Sequence, residues 1–176
     1  MNYSMKAGVL YGQDGGRPLA RIKGVLCGPE KQILSPGGTL LLRTDIRRLD
    51  APPGREGELR YREYVMLLED GGEYAAASPG YAAEDDPPAA GWPLYRMPRV
   101  DHALLRLGEG TCLLRMENSQ NYALSDDAGR CAVRVIHRGI VGGWTVESAA
   151  GYAPAFLCGV FVFCRYIEQE NEFLIV

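Results

Sequence analysis

The sequence predicts an all-β fold: a closed or nearly closed antiparallel β-barrel that encloses one hydrophobic C-terminal α-helix. Three observations carry this. The stretch Ala153 to Cys164 holds no charge and only one glycine, with apolar residues on every side of a helix. A helix that is apolar all round must be buried all round. Upstream of it the chain reads as short extended runs separated by turn residues, and 22 Gly with 11 Pro favour a β-rich fold over a helical bundle. One apolar helix and many strands are reconciled if the sheet wraps the helix.

The elements follow in order. Met1 to Gly12 reads as a first strand, and Gln13 to Gly16 (QDGG) as a hairpin turn of the Asp-Gly kind. Arg17 to Leu26 is extended, Cys27 to Glu30 turns, and Lys31 to Leu34 is a short strand. Ser35 to Gly38 (SPGG) places proline at the second position of a tight turn. Thr39 to Leu49 is a strand, with Thr44 and Ile46 arguing against helix. Asp50 to Glu58 (DAPPGREGE) is a surface loop. Leu59 to Glu69 fits a strand that becomes buried on both faces, with a helix as the alternative. Glu73 to Ser78 is a strand.

Pro79 to Pro98 is long and irregular, and its proline spacing opposes both a regular helix and a central strand. It is expected to cover one end of the fold, with Tyr81, Trp92 and Tyr95 as plugs; a binding loop is the alternative. Strands are expected at Val100 to Leu107, Thr111 to Glu117, Tyr122 to Leu124, Arg130 to His137 and Trp144 to Glu147. Turns are expected at Asn118 to Asn121 (NSQN) and Ser125 to Gly129. Pro154 opens the helix, where its missing N–H costs nothing. The carboxylates of Glu168, Glu170 and Glu172 sit poorly against a helix C-terminus, so they meet Arg165 or other arginines, or the helix stops before them. The two segments RIKGVLCGPEKQILSPGGTLLLRTDI and LLRMENSQNYALSDDAGRCAVRVIHRGI share a plan of strand, polar break and strand, a weak internal repeat.

The segments ARIKGVLCGPEKQILSPGGTLLLRTDIRR, NYALSDDAGRCAVRVIHRGIVGGW and YAPAFLCGVFVFCRYIEQ resemble the tubby C-terminal-like superfamily. That group includes the phospholipid scramblases and the LURP-one-related proteins. The resemblance is one of pattern and turn chemistry and covers under half of the chain. It implies a single domain over residues 1–176, a barrel filled by its helix with no lipocalin-like cavity, and lipid binding as a family-level property. No phosphoinositide-binding residue of the tubby proteins maps onto this chain, and Pro79 to Pro98 has no counterpart.

The composition narrows the function. A net charge of −3 argues against a general nucleic-acid binder. The cations are almost all arginine, the lysines being Lys6, Lys23 and Lys31, which points to genome base composition and a bacterial source. Five isolated cysteines, with no CxxC and no signal peptide, read as free thiols in a reducing cytoplasm. The apolar run is shorter than the roughly 20 residues that span a bilayer, so a tail anchor is the minor reading.

Candidate chemistry is sparse. Asp101, His102 and His137 are candidates for a small enzyme with a cleft under the Pro-rich loop, although each histidine reads more simply as an ordinary strand residue. HxH, HExxH and CxxC are absent, so no metal and no cofactor is expected. Cys158 and Cys164 lie on the apolar helix, where burial makes thiols inert. Arg43, Arg47, Arg48, Arg60 and Arg62 cluster around Asp50 to Glu58, and paired strands would gather them into a basic patch suited to phosphate headgroups or an acidic protein partner. A solvated face balanced by Glu56, Glu58 and Glu63 is the simpler reading. Asn118, Gln120 and Asn121 either shape a turn or read a polar ligand. The expected function is therefore a non-enzymatic binding or scaffold domain.

Overall fold

The computed structural model describes residues 1–13, 16–25, 28–54, 61–81, 100–118, 120–139, 142–149 and 151–172. The strands are β1 (Asn2–Lys6), β2 (Val9–Tyr11), β3 (Pro18–Gly24), β4 (Lys31–Leu34), β5 (Leu40–Arg48) and β6 (Arg62–Leu67), then β7 (Glu73–Tyr81), β8 (Val100–Leu107), β9 (Gly110–Met116), β10 (Tyr122–Asp126), β11 (Cys131–His137) and β12 (Trp144–Ser148). The helix is α1 (Pro154–Glu172). Each strand pairs antiparallel with its sequence neighbours, and β1 pairs with β12 to close a barrel. The closing register runs from Asn2↔Glu147 to Met5↔Trp144. Closure removes every sheet edge.

Alternation along each strand sends one row of side chains inward. Leu10, Ala20, Ile33, Leu42, Tyr64, Met66, Leu105, Leu114, Tyr122, Leu124, Val133, Val135 and Val146 are all buried in the one core cluster. From α1 this cluster takes Phe156, Leu157, Cys158, Val160, Val162, Phe163, Cys164, Tyr166 and Ile167. A barrel of roughly eight strands is filled by its own side chains, whereas a larger one leaves a lumen. Here α1 occupies it. The ring of Tyr64 meets Phe163 at 5.7 Å and Tyr166 at 5.3 Å, and Trp144 meets Phe161 edge-on at 5.4 Å. Gly159 is the helix residue that faces Met66: a Cβ there would stand 2.5 Å from Met66 Cε and 2.6 Å from its Sδ.

Two segments differ from the sequence reading. Met1 to Gly12 is two strands, because Ala7 (φ 47) and Gly8 (φ 74) both take the left-handed region and make a tight hairpin. β7 runs past Ser78 through Pro79 to Tyr81, pairing Pro79 with Ala103 and ending at a bulge between Gly80 and Tyr81. A proline is tolerated close to such a bulge. Of the two readings of the acidic helix end the first holds: α1 continues to Glu172, with Glu168 bonded to Arg165 and Glu170 to Arg62. Leu59 to Glu69 resolves as strand over Arg62–Leu67, with Glu63, Tyr64, Val65 and Met66 all buried. Most of the Pro-rich segment (residues 82–98) and the tail 173–176 lie outside the described residues, as does Trp92.

The Gly159–Met66 contact makes a quantitative test. Gly159→Ala sets a helix-propensity gain of about 1 kcal/mol against displacement of the flexible Met66 end, so its net cost in urea unfolding should stay below about 2 kcal/mol. Adding Met66→Val should recover part of that cost, because the two sites touch and their effects are not additive. Equal and additive losses would show that the contact does not limit packing.

Candidate binding groove at the barrel mouth

The helix enters the barrel beside the short hairpins and leaves at the end where β3 turns to β4, β5 leads to β6, and β7 leads to β8. At that mouth lies an open groove of about 600 Å³. Its polar walls are Asp45 and Arg48 of β5, Arg62 of β6, and Tyr166, Gln169 and Glu170 of α1, with Pro29 and Ile46 beside them.

Register explains the cations. Arg48 and Arg62 are direct Cα partners across β5 and β6. Like charges placed opposite one another destabilise a sheet. One carboxylate answers this pair: Arg62 donates to Glu170 at 3.4 Å. Glu170 is 7% exposed. No described residue hydrogen-bonds or ion-pairs with Arg48. The anionic side is equally specific. Asp45 accepts the backbone N–H of Ile46 at 2.8 Å with one oxygen. The Tyr166 hydroxyl donates to the Pro29 carbonyl at 2.7 Å and lies 3.1 Å from the Thr44 hydroxyl. Burial pushes the Tyr166 phenol up, so it stays protonated and holds the helix end to the β3–β4 turn.

The other arginines serve elsewhere. Arg47 points to the outer wall, where it donates to Glu63 at 2.7 Å and Glu73 at 2.8 Å. Arg106 donates to the same Glu63 at 2.8 Å, and the Ser78 hydroxyl donates to it at 3.2 Å. Burial opposes ionisation of Glu63, but its bonds to Arg47, Arg106 and Ser78 and the Arg106 charge outweigh it and lower its pKa. Arg43 lies on the outer wall opposite Gln32 and Leu67, with its Nε buried and without a hydrogen-bond partner. Arg60, Glu56 and Glu58 lie outside the described residues. The expected basic patch is thus divided: Arg47 is held by carboxylates, and Arg48 with Arg62 lines the groove.

Asn118 and Asn121 act on backbone. Asn118 Oδ1 accepts from the N–H groups of Gln120 and Asn121, and Asn121 Oδ1 accepts from the N–H of His137 at 2.8 Å. Gln120 is exposed on that turn. These residues sit at the same mouth but across β7 and β8 from the groove.

The histidines do not share a cleft. His102 bonds Asp101 and lies across Gly80, whose absent Cβ would fall 2.1 Å from His102 Nε2. His137 shares the inward parity of Val133 and Val135 and packs on Trp144 at 4.7 Å. Between them run β9 and β10, about 14 Å of sheet. Among the described residues no group of three or more His, Cys, Asp and Glu could hold a metal ion. No helix of the described residues is long and apolar enough to cross a membrane.

Glu170 was expected from the sequence to meet an arginine, with Arg62 not singled out. Its i+4 spacing from Tyr166 was the available signal, since it puts both on one helix face. The chain matches no protein-family model, no curated protein and no solved structure.

Two outcomes follow. Because Glu63 titrates below its ordinary value, its contribution to stability is complete above about pH 4.5 and is lost as pH falls through the lowered folded value. Glu63→Gln should flatten the acid limb of a stability–pH profile and cost about 1–3 kcal/mol at neutral pH. An unchanged acid limb would remove Glu63 as its source. For the thiols, burial pushes Cys158 up to about 12 and Cys164 well above its ordinary value. Maleimide labelling read by mass spectrometry should modify exposed Cys131 at least about 100-fold faster than Cys158 or Cys164, which should react only on unfolding. Comparable rates would mean that α1 is not held in the barrel.

Proposed function

We propose that the chain is a non-enzymatic binding module that takes a phosphate-bearing headgroup in the mouth groove, between Arg48 and Arg62. The observation that carries this reading is the cross-strand arginine pair, answered among the described residues by the single carboxylate of Glu170. Guanidinium forks match phosphate oxygens in geometry and charge. A filled interior supports a surface ligand over an enclosed one. The same barrel-and-helix plan supports a tubby-like classification, and the free thiols fit a reducing cytoplasm.

The test is co-sedimentation of the protein with vesicles of phosphatidylcholine, phosphatidylethanolamine or phosphatidylglycerol, at low and moderate salt. Binding to one of these that falls at least about 5-fold in Arg48→Ala, but not in the distant and exposed Arg130→Ala, sustains the reading. Absence of binding to all three, or binding indifferent to Arg48, overturns it and turns the search to a protein partner.

A further inference from the structure

Among the described residues the mouth groove is not a basic site: Arg48 and Arg62 are matched by Asp45 and Glu170, so the described charged side chains that line it sum to zero. The charges are also arranged. The arginines stand together at the end of β5 and the start of β6. Asp45 lines the same groove three positions before Arg48 on β5, beside Tyr166 of α1. The negative charges of Asp45 and Glu30 both act on the Tyr166 phenol. A phosphate without a cation would leave the groove net negative and would meet Asp45 and Glu170 in repulsion. An ammonium beside the phosphate removes one net negative charge and gives each wall a partner; as a phosphodiester headgroup such a ligand leaves the groove neutral.

We propose that the groove selects a phospho-ammonium ligand of the phosphoethanolamine class, its phosphate between Arg48 and Arg62 and its ammonium toward Asp45 and Glu170. This rests on the groove being the binding seat and adds the second charge that sets its specificity. A phosphate suits the anionic end better than a carboxylate, because its several oxygens engage two guanidinium groups at once, while the carboxylate of Glu170 reaches Arg62 and leaves Arg48 unanswered.

The experiment is a calorimetric titration of the full chain with phosphoethanolamine, glycerol phosphate, ethanolamine and β-alanine, beside vesicles of phosphatidylethanolamine or phosphatidylglycerol. Phosphoethanolamine should bind at least about 10-fold tighter than glycerol phosphate or β-alanine, and ethanolamine alone weakest. Asp45→Asn should reduce that preference several-fold. Glu170→Gln should go further: it releases Arg62, so affinity for glycerol phosphate should rise while affinity for phosphoethanolamine falls. Circular dichroism confirms that both variants fold. Soluble phosphoethanolamine and phosphatidylethanolamine vesicles are two sources of one chemistry, and tight binding of either sustains the proposal. Glycerol phosphate binding as tightly as phosphoethanolamine overturns the ammonium half while leaving headgroup binding intact. Equal binding of β-alanine overturns the phosphate half. Failure of every ligand and both vesicles overturns the proposal together with the reading beneath it.

Discussion

Everything in this molecule depends on the burial of α1. Twelve strands close into a ring whose lumen exceeds what strand side chains alone can fill, and a helix with its side chains, about 10 Å across, fits the remainder. Each part needs the other. The barrel without α1 would hold an apolar void, and α1 without the barrel would expose Phe156, Leu157, Val160, Val162 and Phe163 to water. The fit is local as well as global: the bulk of Met66 is accommodated because Gly159 lies against it. Barrel and helix side chains pack into one core inside, and the groove lined by Arg48 and Arg62 opens at the mouth.

Several arginines are answered close at hand by carboxylates. Glu63 draws Arg47 and Arg106 together across the outer wall, tying β5 and β6 to β8 over Ser78 of β7. Arg130 pairs with Asp126 within one hairpin, and Arg165 lies over the Trp144 ring while bonding Glu168. Arg48 is set apart by its register. It faces another arginine in register and shares the groove with the carboxylate of Glu170, which already serves Arg62.

Periodicity made the barrel and its helix legible in the sequence. Alternation in Val100–Leu107 and Cys131–His137 gave the strands, and an apolar surface on every side of Ala153 to Cys164 gave the plug. Pairing was not legible. The sequence showed five arginines near one loop, but only register could tell that Arg48 faces Arg62 while Arg47 faces Glu63. The Ala7–Gly8 hairpin was missed because alanine is a poor marker of positive φ. Glu170 was read as part of an acidic helix end, since its contact with Arg62 spans 108 positions and leaves no local trace. Asn118 and Asn121 were better signalled: amides in a turn bind backbone, and here they do.

The helix that fills the barrel is also the last of its parts to be made. Strand pairing is almost wholly between sequence neighbours and can advance as the chain grows, except for the seam between β1 and β12. Until α1 arrives, though, such a meander has only its own inward rows to bury. A nascent chain that already carries all the strands is therefore a curved sheet with a wet apolar face, open to association with other chains. The final folding step joins the most distant contacts in the sequence, seam and plug together, and that step sets how long the growing protein stays exposed.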